Sequence, residues 1–372
     1  MQSKLSFRHL LLATVGAGYL LPNPPGSYNV TLTTGSITDY NRDARALMLS
    51  VFQPMMCAST VPVIYMPNKT AEYEGPWIQE TFNVSVDLTP LLLGASLPVC
   101  LGNLSSCSPL DDAPVLLLSP GYRGTRLFYS VLASAIASKG YTVITIDQPG
   151  ETNAIVYPDG HAVYTNLSNT INIDDLTPYA NTRAADASFI IDQLSNATAM
   201  AQFLPQNGRQ QFPTDHIAMV GHSLGGAAAV LAAIQDSRIH SVINWDGPFL
   251  GAMPPSGLSQ PILYVASDRE DDPRMLAVWP DLNGPKLWVK ISGLTHEGMM
   301  DFPLLIQAAG QDIKAFEDVF GTVVSTEIVD IMMEYTAEWM NGSFTGEIGG
   351  SLLEGQDPDR FPEVLTLRRE NF

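Results

Sequence analysis

Apolar residues in this 372-residue chain gather into short runs separated by polar and turn-forming stretches. Runs at 30–34, 47–52, 115–119, 142–146, 217–220, 241–245, 262–266 and 287–291 have the length and the Val, Ile and Leu content of strands. Val115-Leu116-Leu117-Leu118 and Ile217-Ala218-Met219-Val220 are apolar at every position, which suits a parallel sheet covered on both faces. From 182 to 203, Ala184, Ala185, Phe189, Ile190, Leu194 and Met200 recur on one helical face, and 316–339 reads as a closing amphipathic helix. The pattern predicts an α/β fold, a mostly parallel central sheet of about eight strands flanked by helices, in a single domain over 21–372. Between these elements, 54–114 reads as Pro-rich and irregular, 147–179 as an aperiodic excursion across the mouth of any site above the sheet, and the end of the chain as a polar tail.

One junction carries chemistry. The apolar run 216–220 leads into Gly221-His222-Ser223-Leu224-Gly225, and small residues from Gly226 to Ile234 lead out as a helix. This strand, turn and helix order is the context of a nucleophile elbow, in which a serine hydroxyl stands above the sheet edge. A serine nucleophile needs a general base, and in this architecture acid and histidine follow the serine in that order. Of the six histidines, His9, His161 and His216 precede the elbow, His222 lies within it, and His240 leaves no room for an acid before it. His296 remains, in a Gly293–Gly298 loop after a strand-like run. Two acids fit. Asp246 ends the first strand after the elbow helix and is followed by an apolar turn, whereas Asp268 ends the next strand and opens a charged cluster, Arg269 to Asp272, that reads as a solvated helix start.

Four blocks add a family likeness: Leu116 to Tyr122 followed by Arg126 to Ser130; Gly221 to Gly226; Trp245-Asp246-Gly247; and Gly293 to His296 through Phe302. With these the chain resembles the platelet-activating factor acetylhydrolases of the plasma and type II intracellular kind, in their fungal secreted branch. The resemblance implies an α/β-hydrolase fold and an acid after the strand that follows the elbow helix, which favours Asp246 over Asp268. It implies a serine carboxylic-ester hydrolase acting through Ser223, His296 and Asp246 by way of an acyl-enzyme. Its oxyanion donors would be the backbone N–H groups of Leu224 and Tyr122. The expected substrate is a small-molecule ester or phospholipid, with short acyl chains at the sn-2 position. A lipase or polyester hydrolase would use the same triad, and an inactive hydrolase fold used for binding is the reading from another class. Two departures touch the pocket: Pro120-Gly121 stands where many relatives have His-Gly, and Met299 where a phenylalanine is usual.

Composition narrows the partners. A formal net charge of −19 disfavours nucleic acid and anionic membranes, which would repel the chain. Lys4 and Arg8 precede an apolar run from Leu10 to Leu21 that is too short to span a bilayer, with small residues at Val15-Gly16-Ala17; 1–20 therefore reads as a secretory leader. Seven N-x-Ser/Thr sequons, at Asn29, Asn68, Asn83, Asn103, Asn166, Asn196 and Asn341, fit an extracellular glycoprotein. In an oxidising compartment two of Cys57, Cys100 and Cys107 would pair, and spacing does not choose which. The cysteines lack a C-x-x-C pair and a nearby histidine, so neither a metal nor another cofactor is expected. Nothing in the chain specifies an oligomeric state.

Overall fold

The apolar runs become the strands of one central sheet. The computed structural model describes residues 18–84, 86–101, 107–204 and 211–372. The sheet's main strands are β1 (Asn29–Asp39), β2 (Arg45–Met56), β3 (Val115–Ser119), β4 (Thr142–Asp147), β5 (Ile217–His222), β6 (Ile239–Trp245), β7 (Ile262–Ala266), β8 (Lys286–Ile291) and β9 (Val364–Glu370). Their spatial order is β9-β8-β7-β6-β5-β3-β4-β2-β1. Strands β3 to β8 pair in parallel, whereas β1, β2 and β9 join antiparallel at the edges. The expectation of about eight strands holds for β1–β8. The ninth comes from the stretch read as a polar tail: Val364–Glu370 is an edge strand with a mostly solvated face, so it lacks the apolar signature of a central one.

Five longer helices flank the sheet: α1 (Asn68–Thr81), α2 (Ser130–Ala137), α3 (Thr177–Leu194), α4 (Leu224–Gln235) and α5 (Ser325–Thr345). Alternate residues of β3 serve opposite layers. Leu116 and Leu118 join a core with α2 and α5, and Val115 and Leu117 join one with α3 and α4. The helix expected over 182–203 starts earlier and ends at Leu194; Asn196 then caps a separate short turn, its side chain accepting from the N–H groups of Thr198 and Ala199. The expected closing helix is likewise interrupted at Gly321, whose φ of 86° ends the short helix Glu317–Phe320 before α5 begins. The described parts of 54–114 hold more regular structure than its prolines imply: α1, the helix Thr89–Gly94, and the strands Val61–Ile64 and Ala95–Val99, which form a small sheet with Tyr19–Leu20.

The first 17 residues lie outside the described part. Tyr19–Leu20, the last residues of the expected leader, pair in parallel with Ala95–Ser96, and the Tyr19 hydroxyl donates to Leu91 O at 2.8 Å. Among the described residues, no helix is long and apolar enough to cross a membrane.

Candidate active site

Strand β5 ends in the elbow, and two close approaches fix its glycines. A Cβ on Gly221 would lie 2.1 Å from the Gly225 backbone, and one on Gly225 would lie 2.0 Å from Ser119 O of the neighbouring strand β3. Ser223 is held at φ 56°, ψ −121°, a region that non-glycine residues avoid, by hydrogen bonds from its N–H to Trp245 O (2.8 Å) and to its own carbonyl from Ala227 N (3.1 Å). It opens into a cavity of about 160 Å³ that is also lined by His222, His296, Glu297, Tyr122 and Arg123.

His296 stands in the loop after β8, and its Nδ1 lies 2.6 Å from Asp246 Oδ2. Asp246 ends β6, buried, at φ 57°. Its carboxylate also accepts from Ser267 N (3.0 Å), Ser267 Oγ (2.8 Å) and Arg269 Nε (2.9 Å). Burial opposes the carboxylate, but the His296 bond and charge, with Arg269 and the Ser267 N–H, outweigh it, so its pKa lies below the usual range. Burial likewise opposes a charged imidazole at His296. The Asp246 bond and charge, with Glu297, prevail and raise its pKa above the ordinary value.

The other candidate acid is elsewhere. Asp268 is half-exposed and accepts from Gly293 N (2.8 Å) and Lys290 Nζ (3.3 Å), tying down the loop that carries His296 without contacting the imidazole. The cluster behind it is less solvated than its composition implies: Asp272 is buried and caps the helix Pro273–Val278, and Arg269 pairs with both Asp246 and Asp272.

The candidate oxyanion donors are free to act. Among the described residues, neither the Tyr122 nor the Leu224 backbone N–H meets a protein acceptor. The loop bearing Tyr122 is held from below by Arg183, which donates through Nη1 to Ser119 Oγ (3.1 Å) and Pro120 O and through Nη2 to Gly121 O (3.1 Å), and is ion-paired to Glu151. Pro120 thus offers its carbonyl to the site's support, and its missing N–H leaves no orphan. Of the departures noted in sequence, Met299 is fully buried in the core away from the cavity; its neighbour Met300 lines the wall instead.

Several participants carried no sequence signal. His222, the elbow's variable position, is buried with Nδ1 2.8 Å from the Tyr129 hydroxyl and Nε2 3.0 Å from the His296 carbonyl oxygen. Burial, with the charge of His296, pushes its pKa well below the ordinary value, so it stays neutral. Glu297 lines the cavity beside His296, and burial raises its pKa. Trp77, Thr81 and Phe82 come from α1 and its end, and Asn169 from the 147–179 excursion, which does shape the mouth as expected.

The other histidines lie apart or outside: His161 pairs with Asp159, exposed, the ring of His216 packs on Phe344, His240 is exposed on β6, and His9 is outside the described residues. Among the described residues, the one cluster of metal-ligand type is Cys57, Cys100 and Cys107, whose sulfurs lie within 4.8 Å of one another. Their Cα separations, 6.4 Å for Cys57–Cys100 and 4.6 Å for Cys57–Cys107, put Cys57 within disulfide reach of both partners.

Comparison with known proteins matches this architecture. The alpha/beta hydrolase fold model matches residues 114–282, and the model of platelet-activating factor acetylhydrolase, isoform II, matches 13–174. A protein named as a probable 1-alkyl-2-acetylglycerophosphocholine esterase of Arthroderma benhamiae is 29% identical over 96% of this chain and 96% of its own length. The platelet-activating factor acetylhydrolase of Canis lupus familiaris is 24% identical over 92% of this chain and 82% of that protein. Among solved structures, a ferulic acid esterase from Streptomyces cinnamoneus superposes with a TM-score of 0.75 at 23% identity, covering 95% of this chain and 100% of that one, which supports the fold.

Proposed function

We propose, on the premise that the chain is a relative of the platelet-activating factor acetylhydrolases built on the α/β-hydrolase fold, that it is a serine carboxylic-ester hydrolase using Ser223, His296 and Asp246. The observation that carries this reading is the 2.6 Å contact of His296 Nδ1 with the buried Asp246 carboxylate, beside the strained elbow that presents Ser223 to the same cavity. Asp246 fixes the imidazole tautomer so that Nε2 takes the Ser223 proton as Oγ attacks the ester carbonyl. The N–H groups of Leu224 and Tyr122 stabilise the oxyanion, His296 returns the proton to the departing alcohol, and water hydrolyses the acyl-enzyme by the same steps. A cavity of about 160 Å³ is smaller than pockets built for drug-sized ligands, which supports a short acyl group, such as an sn-2 acetyl of a glycerophospholipid, over a long one.

Secretion as a single-domain glycoprotein belongs to the same proposal. Asn68, Asn83, Asn166, Asn196 and Asn341 are exposed, as glycan acceptors must be; Asn29 is half-buried with its amide on Cys57 O, and Asn103 lies outside the described residues.

The test is reaction with a fluorophosphonate and peptide mapping, with p-nitrophenyl acetate compared against longer-chain esters. Labelling of Ser223 with preference for acetate supports the reading. Long-chain preference replaces it with a lipase, and folded protein that does not label refutes it.

A further inference from the structure

Arg123 follows the candidate oxyanion residue Tyr122 in sequence and lines the same cavity as Ser223 and His296. It is 8% exposed and held at φ 59°, a left-handed conformation that an arginine adopts at a cost. Three arginines among the described residues are this buried. Arg126 pairs with Asp147 and Arg183 with Glu151, whereas no carboxylate of the described residues lies within ion-pair distance of Arg123. Its guanidinium is held by neutral groups: Nη1 donates to Asn169 Oδ1 and Nη2 to Asn153 Oδ1 at 2.6 Å, the plane lies 5.7 Å from the centre of the Trp77 ring, and Nε meets no acceptor. Trp77 Nε1 donates to the same Asn169 oxygen at 3.1 Å, so the arginine is fixed from two sides. Behind Asn153, Glu74 is fully buried, which pushes its carboxyl well above the usual range and leaves it a poor counter-charge. Glu297, the one acid on the cavity wall among the described residues, is raised by burial as well.

On a chain of net charge −19, a buried cation that forms no ion pair among the described residues and stands beside Ser223 suits an anionic ligand. We infer that Arg123 is a specificity residue, selecting esters that carry a monoanion, a phosphodiester or a carboxylate, a few bonds from the scissile carbonyl. This rests on the serine-esterase reading and adds to it a residue that recognises a charge on the substrate. The planar fork of the guanidinium, held by Asn153, Asn169 and the Trp77 ring, suits either anion geometrically.

Three soluble acetate esters of matched size distinguish the cases: one beside a phosphodiester, as in a monomeric short-chain 2-acetyl glycerophosphocholine, one beside a carboxylate, and one neutral. The readout is the ratio of kcat/KM for each anionic ester over the neutral one. In Arg123→Gln the ratio for the cognate anion falls roughly 10- to 100-fold, the loss expected for a hydrogen bond to a charged group. Asn169→Asp keeps an acceptor for both Arg123 and Trp77 while cancelling the charge, and lowers the same ratio; it carries the test if Arg123→Gln does not fold. A fall for the phosphodiester ester alone assigns a phospholipid, and a fall for the carboxylate ester alone assigns an anionic acid ester. A ratio equal in wild type and both variants, with the neutral ester still turned over, overturns this inference alone. Failure of the wild type to hydrolyse any of the three overturns the esterase reading as well.

Discussion

His222 Nε2 lies 3.0 Å from the backbone carbonyl of His296, and their rings meet at a tilt of 40° with centroids 4.5 Å apart. A carbonyl only accepts, so His222 is protonated at Nε2; its Nδ1 then accepts from the Tyr129 hydroxyl, which in turn accepts from Gly121 N at 3.1 Å. This chain of bonds ties the loop of the proposed base to the strand end beside the proposed oxyanion donor. Tyr129→Phe leaves the Gly121 N–H and His222 Nδ1 without partners, at a cost of about 1–3 kcal/mol. Urea unfolding is expected at a lower midpoint, with kcat reduced and the acidic limb of the pH profile unmoved, because His222 is already neutral. A shifted limb would show that His222 titrates during turnover and that this tautomer is wrong.

The raised pKa of His296 sets the sign of the pH dependence. The proposed base must be neutral to take the Ser223 proton, so kcat/KM is expected to rise with pH through the His296 pKa, with a midpoint above the ordinary imidazole value of about 6.5. Asp246→Asn removes the main group that raises it. The limb should move to lower pH while the rate drops by about 10⁴, the cost of losing the acid that sets the tautomer. Asp268→Asn should stay within a few-fold of wild type, since that carboxylate faces Gly293 and Lys290. If Asp268→Asn is the crippling change, the assignment of the acid falls.

Sequence made the sheet and the candidate site's main positions legible because both leave local marks. Strands β3 to β8 are buried on both faces and read as apolar runs, and the elbow must carry glycines where backbones approach within a Cβ's width. Which acid meets His296 was not legible from the residues alone, because Asp246 and Asp268 both end strands; the family resemblance favoured Asp246, and the turn there aims its carboxylate at the imidazole. Arg123, Tyr129 and Arg183 were equally hidden. Each acts through a tertiary contact, Arg183 reaching Gly121 across 62 positions and Tyr129 reaching His222 across 93. The strand Val364–Glu370 escaped notice because an edge strand has one solvated face and no clean alternation.

Asp301 gives stability its own pH dependence. Fully buried, it accepts from Val131 N (2.9 Å), Leu132 N (3.3 Å) and Tyr65 Oη (3.0 Å), and burial outweighs these bonds to raise its pKa to about 7. A carboxyl with a folded pKa above its unfolded one favours folding fully below the unfolded value, and that contribution disappears as pH rises through about 7. Relative to Asp301→Asn, the wild type should lose stability between about pH 4 and pH 7, on the order of 4 kcal/mol across the window. Urea denaturation at several pH values checks it, and parallel stability curves for the two proteins would place the Asp301 pKa in its ordinary range.

Cys57 can pair with Cys100 or Cys107 but not with both, so in the oxidised protein one thiol of the three stays free. The two closures span 43 and 50 positions, and loops of that length restrict the unfolded chain by about 4 kcal/mol in the chain-entropy account, too similar for loop length to choose between them. Titration of the denatured, unreduced wild type with a thiol reagent should therefore find one thiol per chain. Cys100→Ser and Cys107→Ser should each titrate at none, because Cys57 takes the remaining partner, and both should unfold at higher urea than their reduced forms. Two thiols in either single variant would show that Cys57 has only one working partner, and three thiols in the wild type would remove the disulfide altogether.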